Sequence, residues 1–349
     1  MAETATRGDT DVTHRTTAAT TTATAPRGLR HWLSMVVRMA VIAAIGAGMV
    51  WSVVDQWPQV RATWLGLAWS SVLLSVLAAL AGMVANTMAW RAAVDDLGQR
   101  VSVSAALRIC LVGQLGKYIP GSIWAYVLQV ELGKRAGLPR ARAFLATLIT
   151  VGLGVTTALG VGLLSLPSLR KATDIADFSY AESVRVALWI VVILFPIALI
   201  CAIPRVLTVL VQLALRLLRR SSLQRRLTWP GVLHVVGWSA LGYSMFGVHL
   251  WLLANAQAAP GVEGLLRSIG SFAIAMTVGM FAFLSPSGLG VREAVLVATL
   301  APFLATTGGV GAAMGIALAS RLIFTIADVL AAGLAAMSGV RQLSREGSR

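Results

Sequence analysis

Phe281–Phe303 reads FAFLSPSGLGVREAVLVATLAPF. The stretch is apolar at both ends, yet Ser285-Pro286-Ser287-Gly288-Leu289-Gly290 interrupts it. Proline and glycine clustered in this way predict an unwound turn. Val291-Arg292-Glu293-Ala294 then starts a new helix. The first turn of a helix carries free backbone N–H groups and the positive end of the helix dipole. Glu293 satisfies that end. If Glu293 pairs with a basic group instead, the N–H groups can meet a phosphate, and Arg292 adds a positive charge beside them. Irregular backbone at membrane depth is tolerated only where protein or a watery cavity covers it. A charged helix break inside apolar sequence therefore points to a buried polar site in a membrane protein.

Composition agrees. Of 349 residues, 57% are hydrophobic and only 12% charged, against the roughly 25% charged residues of soluble domains. A soluble globule could not hide so much apolar surface, and the apolar runs are too long for a disordered chain. Two cysteines, Cys110 and Cys201, exclude a disulfide framework. His14, His31, His234 and His249 are scattered with no metal-ligand spacing, so neither a metal nor a cofactor is expected. The fold class expected is an all-α polytopic membrane protein.

Eight crossings are expected: Trp32–Val54, Trp64–Trp90, Phe144–Leu166, Val184–Ile203, Val232–Leu253, Ser268–Leu284, Val291–Phe303 and Gly309–Met337. The first has 23 residues and rises about 34 Å as a helix, enough to cross a bilayer. Residues 1–26, rich in Thr and Ala, read as a disordered cytoplasmic tail with no signal-peptide core. Residues 27–340 form the membrane domain and 341–349 a short basic tail. With the N-terminus inside, the inner segments hold 19 Lys and Arg and the outer loops 5. This bias predicts a cytoplasmic-membrane protein with both termini cytoplasmic. It also gives the net charge of +15 an ordinary explanation. A nucleic-acid role would need a readout motif, and none is present.

Val103–Gln129 fits no straight span. It carries Arg108, Gln114, Lys117 and Tyr118, then Pro120-Gly121 and Trp124. Proline removes a helical hydrogen bond and clashes with the preceding turn, so a re-entrant or broken hairpin is expected. Two Pro/Gly breaks about 166 positions apart, one in each half, raise a two-repeat transporter architecture as an expectation. In the last span Arg321 and Asp328 lie seven residues apart on one face, about 10 Å along the axis. Intramembrane charges face a bundle interior. These two either lean toward each other as structural glue or meet a broken segment elsewhere, lining a substrate path.

Other features read more plainly. Arg216, Arg219 and Arg220 share one side of an amphipathic stretch after Pro204, which suits the cytoplasmic interface; a plain inside loop is the alternative. Glu131 and Lys134 form a local i,i+3 pair. Asn86 reads as a polar helix contact, and the glycines of 151–162 and 309–315 as close-packing positions. The glycines of 151–162 lack the strand-turn-helix setting of a nucleotide site.

GQLGKYIPGSIWAYVLQVELGKRAGL (113–138), SPSGLGVREAVL (285–296) and SRLIFTIADVLAAG (320–333) together resemble the flippase-like family named for the transmembrane region of lysylphosphatidylglycerol synthase. The resemblance covers about residues 30–337. The chain departs from it where the family often has Gly-Gly pairs, at Ser122-Ile123 and Ser287-Gly288, which predicts altered turn geometry within the same fold. Full-length synthases of this family join a flippase part to a soluble aminoacyl-transfer domain. With the chain ending at Arg349, the resemblance implies the translocating part alone. It also implies that both breaks, with Lys117, Arg292 and Glu293, form a central groove.

The function expected is a lipid flippase or transporter moving an anionic lipid, an aminoacyl-phospholipid or a polyprenyl-phosphate-linked sugar. Its candidate substrate-binding residues are Arg108, Gln114, Lys117, Tyr118, Pro120, Gly121, Trp124, Pro286, Ser287, Gly288, Arg292, Glu293, Arg321 and Asp328. No catalytic group is assigned. The alternatives are an integral-membrane enzyme acting on a lipid phosphate or lipid-linked sugar, and a non-transporting partner of an envelope glycosyltransferase. Partners expected are a membrane lipid or lipid-linked sugar, with envelope biosynthesis enzymes and a homo-oligomer left open.

Overall fold

The computed structural model describes residues 50–51, 54–119, 123–167, 181–217, 227–255, 261–282 and 286–346, without the side chains of 181–188, 190–191, 214, 286 and 338–346. The tail of residues 1–26, nearly all of the expected span Trp32–Val54, Pro120, Gly121, Arg219 and Arg220 lie outside the described residues.

The described chain is all α. In order it runs α1 (Trp57–Leu65), α2 (Trp69–Asp96), α3 (Val103–Leu107), α4 (Trp124–Arg135), α5 (Arg140–Gly162), α6 (Ala181–Ala202), α7 (Pro204–Leu217), α8 (Trp229–Ala254), α9 (Val262–Phe281), α10 (Val291–Leu300) and α11 (Gly309–Glu346). Five of the described helices, or their extensions, are long and apolar enough to cross a membrane: Trp69–Asp96, Arg140–Ser165, Trp229–Ala254, Val262–Phe281 and Gly309–Met337. A sixth candidate is the pair Val192–Ala202 and Pro204–Leu213, bent by 86°. The protein is therefore a polytopic all-α membrane protein.

Two expected spans change. The second shifts from Trp64–Trp90 to α2, because Gly66–Ala68 ends α1 and α2 begins only at Trp69. Val291–Phe303 is not one long helix. α10 has ten residues, about 15 Å, and a 3-10 turn follows it. That is too short to cross about 30 Å of hydrocarbon alone. At the other end, the segment assigned to a basic tail begins as helix, since α11 continues to Glu346.

α2 and α8 make the most extensive helix pair, and α9 packs on α8. Small residues let them approach: Asn86 lies against Gly242, as a polar helix contact should, and Phe246 fills the space above Gly82. Local chemistry fixes their ends. Thr228 caps α8, its hydroxyl accepting from Gly231 N–H at 3.1 Å. Asp96 at the end of α2 accepts from both the Thr228 hydroxyl (2.6 Å) and its N–H (3.1 Å), tying the two helices together. Leu207, Val211 and Leu215 on α7 are buried while Val209 and Leu213 are exposed. The 86° turn lays this amphipathic helix across the direction of α6. Glu131 pairs with Arg140 at 2.9 Å rather than with Lys134, and that hydrogen bond holds its carboxyl below the usual range.

Candidate functional site

The segment expected to break does so repeatedly. α3 gives way to a π-helical turn at Arg108–Val112, then a 3-10 turn at Leu115–Tyr118, and α4 starts only at Trp124. π turns inside helices recur at functional sites. The second break holds a 3-10 turn at Pro286–Gly288, with left-handed φ of 53° at Ser287, 66° at Gly288 and 83° at Gly290. A Cβ on Gly288 would lie 2.9 Å from the Gly279 backbone, so only glycine lets this turn sit on α9. The two 3-10 turns touch each other, and both broken segments pack against α9 or α11.

At that meeting point five charged side chains converge. Lys117 Nζ lies 2.6 Å from Asp328 Oδ2, and the Tyr118 hydroxyl donates to the same oxygen at 2.6 Å. Arg321 Nη1 donates to Glu293 Oε1 at 2.8 Å and to the Ser287 carbonyl at 3.4 Å. Glu293 Oε2 accepts from the Gly290 N–H at 2.7 Å. Arg321 and Asp328 thus do not pair with each other. Each crosses to a different broken segment, because an extended Arg321 reaches the turn beside it more easily than a carboxylate two turns away. Glu293 does both things expected of it in alternative: it caps α10 and binds a cation. The Gly290 N–H is thereby spent.

Arg292 is the odd member. It is 6% exposed, and among the described residues no carboxylate contacts it. Its Nη2 donates to Ser320 Oγ at 3.3 Å, its Cζ lies 4.6 Å from the ring centres of both Phe272 and Phe324, and its Nε has no partner among the described residues. The charges of Arg292, Arg321 and Asp328 all act on Lys117, so the three cations share one electrostatic site. Three cations and two carboxylates leave a buried excess of one positive charge, which an anion would neutralise.

The remaining candidates are more dispersed. Arg108 lies on the π turn, and Gln114 precedes the 3-10 turn that carries Lys117. Trp124, on the first turn of α4, is 43% exposed. Pro286 is placed by its backbone in the second break. Sequence reading missed Ser75, His249 and Ser320, all fully buried and hydrogen-bonded into the Arg292 surroundings, and the ring pair Phe272–Phe324. The signal available was a histidine in the middle of an apolar span, which is expensive in hydrocarbon and so seldom idle. Among the described residues no group of three His, Cys, Asp or Glu is placed to hold a metal ion.

Long apolar helices around two broken segments and a buried ionic cluster define an integral membrane protein with a polar centre. The family described as the lysylphosphatidylglycerol synthase TM region matches residues 35–333, most of the chain, and the protein belongs to that family. A search of curated proteins returns no match to it.

Proposed function

We propose that this protein binds an anionic membrane lipid at the Arg292 cluster and serves in the modification of that lipid. It would act on a lipid phosphate or a lipid-linked sugar, itself or as the membrane partner of an envelope transferase. The observation that carries the reading is the buried Arg292 guanidinium, which has aromatic faces and a hydroxyl around it but, among the described residues, no carboxylate in contact. A buried unpaired cation is costly, and a phosphodiester satisfies it through charge-assisted hydrogen bonds. The family's description as part of a lipid synthase supports modification as the purpose of binding.

A second reading, a flippase, is favoured by the meeting of the two broken segments at the cluster. Broken helices facing each other supply fixed donors along a path through hydrocarbon, where a head group would otherwise lose its hydration uncompensated. In either reading we take the N-terminus as cytoplasmic, from the excess of basic residues in the segments that this orientation places inside. The two-repeat arrangement remains part of the flippase reading alone.

Proteoliposomes separate the two. A labelled phosphatidylglycerol and a polyprenyl-phosphate sugar are each supplied with purified protein, with and without the cytoplasmic fraction as a source of transferase. Chemical change is followed by mass spectrometry and leaflet position by quenching. Altered lipid that disappears with Arg292→Gln supports modification. Movement between leaflets without altered lipid, lost in the same variant, supports the flippase. Neither event in folded protein overturns both.

A further inference from the structure

Among the described residues no carboxylate contacts Arg292, yet it occupies one position between two rings. What fixes it is a line of hydrogen bonds that begins on α2. The Ser75 hydroxyl lies 3.1 Å from the His249 carbonyl, an acceptor for its proton. His249 Nδ1 lies 2.6 Å from Ser75 Oγ and 3.2 Å from the Ser75 carbonyl. The carbonyl has no proton to give, so its contact with Nδ1 assigns the imidazole proton there and leaves the Ser75 hydroxyl free to donate to the His249 carbonyl. The imidazole proton is therefore on Nδ1, and Nε2 carries a lone pair. That lone pair faces Ser320 Oγ at 2.9 Å, so Ser320 donates to it. Ser320 is left with only acceptor capacity on its other side, where Arg292 Nη2 donates at 3.3 Å.

The line ends on the one cation of the cluster that no carboxylate among the described residues contacts. Ser75, His249 and Ser320 are all fully buried, so water offers no competing partner. The imidazole stands nearly perpendicular to Phe324 (ring centres 4.9 Å apart, 83°) and to Phe272 (5.9 Å, 81°), the rings that also flank Arg292. The same two rings thus position both the histidine and the guanidinium.

We propose that Ser75, His249 and Ser320 are positioning residues for Arg292: a one-way hydrogen-bond relay, set by the Nδ1–H tautomer of His249, that aims the guanidinium at an anionic lipid head group. The proposal rests on the lipid-binding reading of Arg292. The opposite tautomer would make Nε2 a donor to Ser320 and leave the serine proton with no fixed direction, so the one-way line would be lost. The relay therefore requires a neutral histidine with one particular proton position. Phenylalanine at 249 fills a similar volume and supplies neither bond. Glutamine carries an acceptor at about the position of Nε2.

The test has two readouts on full-length protein in nanodiscs. The first is ¹⁵N NMR of histidine-labelled protein, with the His249 signal assigned by its absence in His249→Gln. The relay requires a protonated Nδ1 and a bare Nε2. A protonated Nε2 overturns it, whatever the protein's function. The second is the preference for phosphatidylglycerol over phosphatidylcholine in competition. His249→Phe and Ser320→Ala should each reduce that preference about tenfold, the size of one lost hydrogen bond to a charged group. His249→Gln should restore much of it. If folded Ser320→Ala keeps the wild-type preference, the relay does not position Arg292. If the wild type shows no preference at all while Nε2 is bare, the lipid-binding reading fails, and with it the positioning role, although the tautomer stands.

Discussion

At the scale of single residues, the site is a set of charges whose partners lie far away in sequence. Lys117 and Asp328 are 211 positions apart and Arg321 and Glu293 are 28 apart, so neither pairing is visible locally. Sequence reading found all four side chains, because charges in apolar spans stand out. It could not choose between the partner seven residues along the same helix and one on another segment. It also passed over His249, whose role depends on a serine on α2 and another on α11. The Lys117–Asp328 pair has a direct consequence for stability. Removing one member of a buried pair leaves a charge uncompensated, at a cost of about 3 kcal/mol. Lys117→Met should therefore lower thermal stability in detergent more than Lys117→Met combined with Asp328→Leu. If the double variant is the less stable by the sum of the two single effects, the charges are not coupled.

At the scale of elements, turns were legible and lengths were less so. The unwound turn at 286–290 follows from its own proline and two glycines, and it appeared where the residues put it. The sequence also marked Ser287-Gly288 as a departure from a Gly-Gly pair, and both residues have left-handed backbone. Val291–Phe303 read as a crossing because its residues are apolar throughout. What shortens α10 is the 3-10 turn at Ala301–Phe303, with Pro302 inside it. The turn itself makes two contrasting expectations measurable by thermal unfolding. Ser287→Gly relieves an αL conformation and adds chain entropy, so stability should stay level or rise by less than about 1 kcal/mol. Gly288→Ala adds a methyl group against the Gly279 backbone at a left-handed position, and should cost about 2–4 kcal/mol. Equal small effects from the two would mean that the turn is not packed on α9 as described.

At the scale of the whole molecule, hydropathy alone carried the class: 57% hydrophobic residues leave only a membrane protein. The convergence of two breaks on α11 did not follow from hydropathy, since it depends on how α2, α8 and α9 stack and on which faces α11 presents. The stack serves the site. Apolar helices surround it, and the anion-binding role proposed for the Arg292 guanidinium draws on that low-dielectric setting. Arg292 therefore carries the proposed function. Native mass spectrometry of the purified protein, released from mixed micelles of phosphatidylglycerol and phosphatidylcholine, measures its selectivity directly. The expected result is retention of phosphatidylglycerol at least about tenfold over phosphatidylcholine, abolished by Arg292→Gln in folded protein. Equal retention of the two lipids by the wild type, or an unchanged preference in Arg292→Gln, would contradict it.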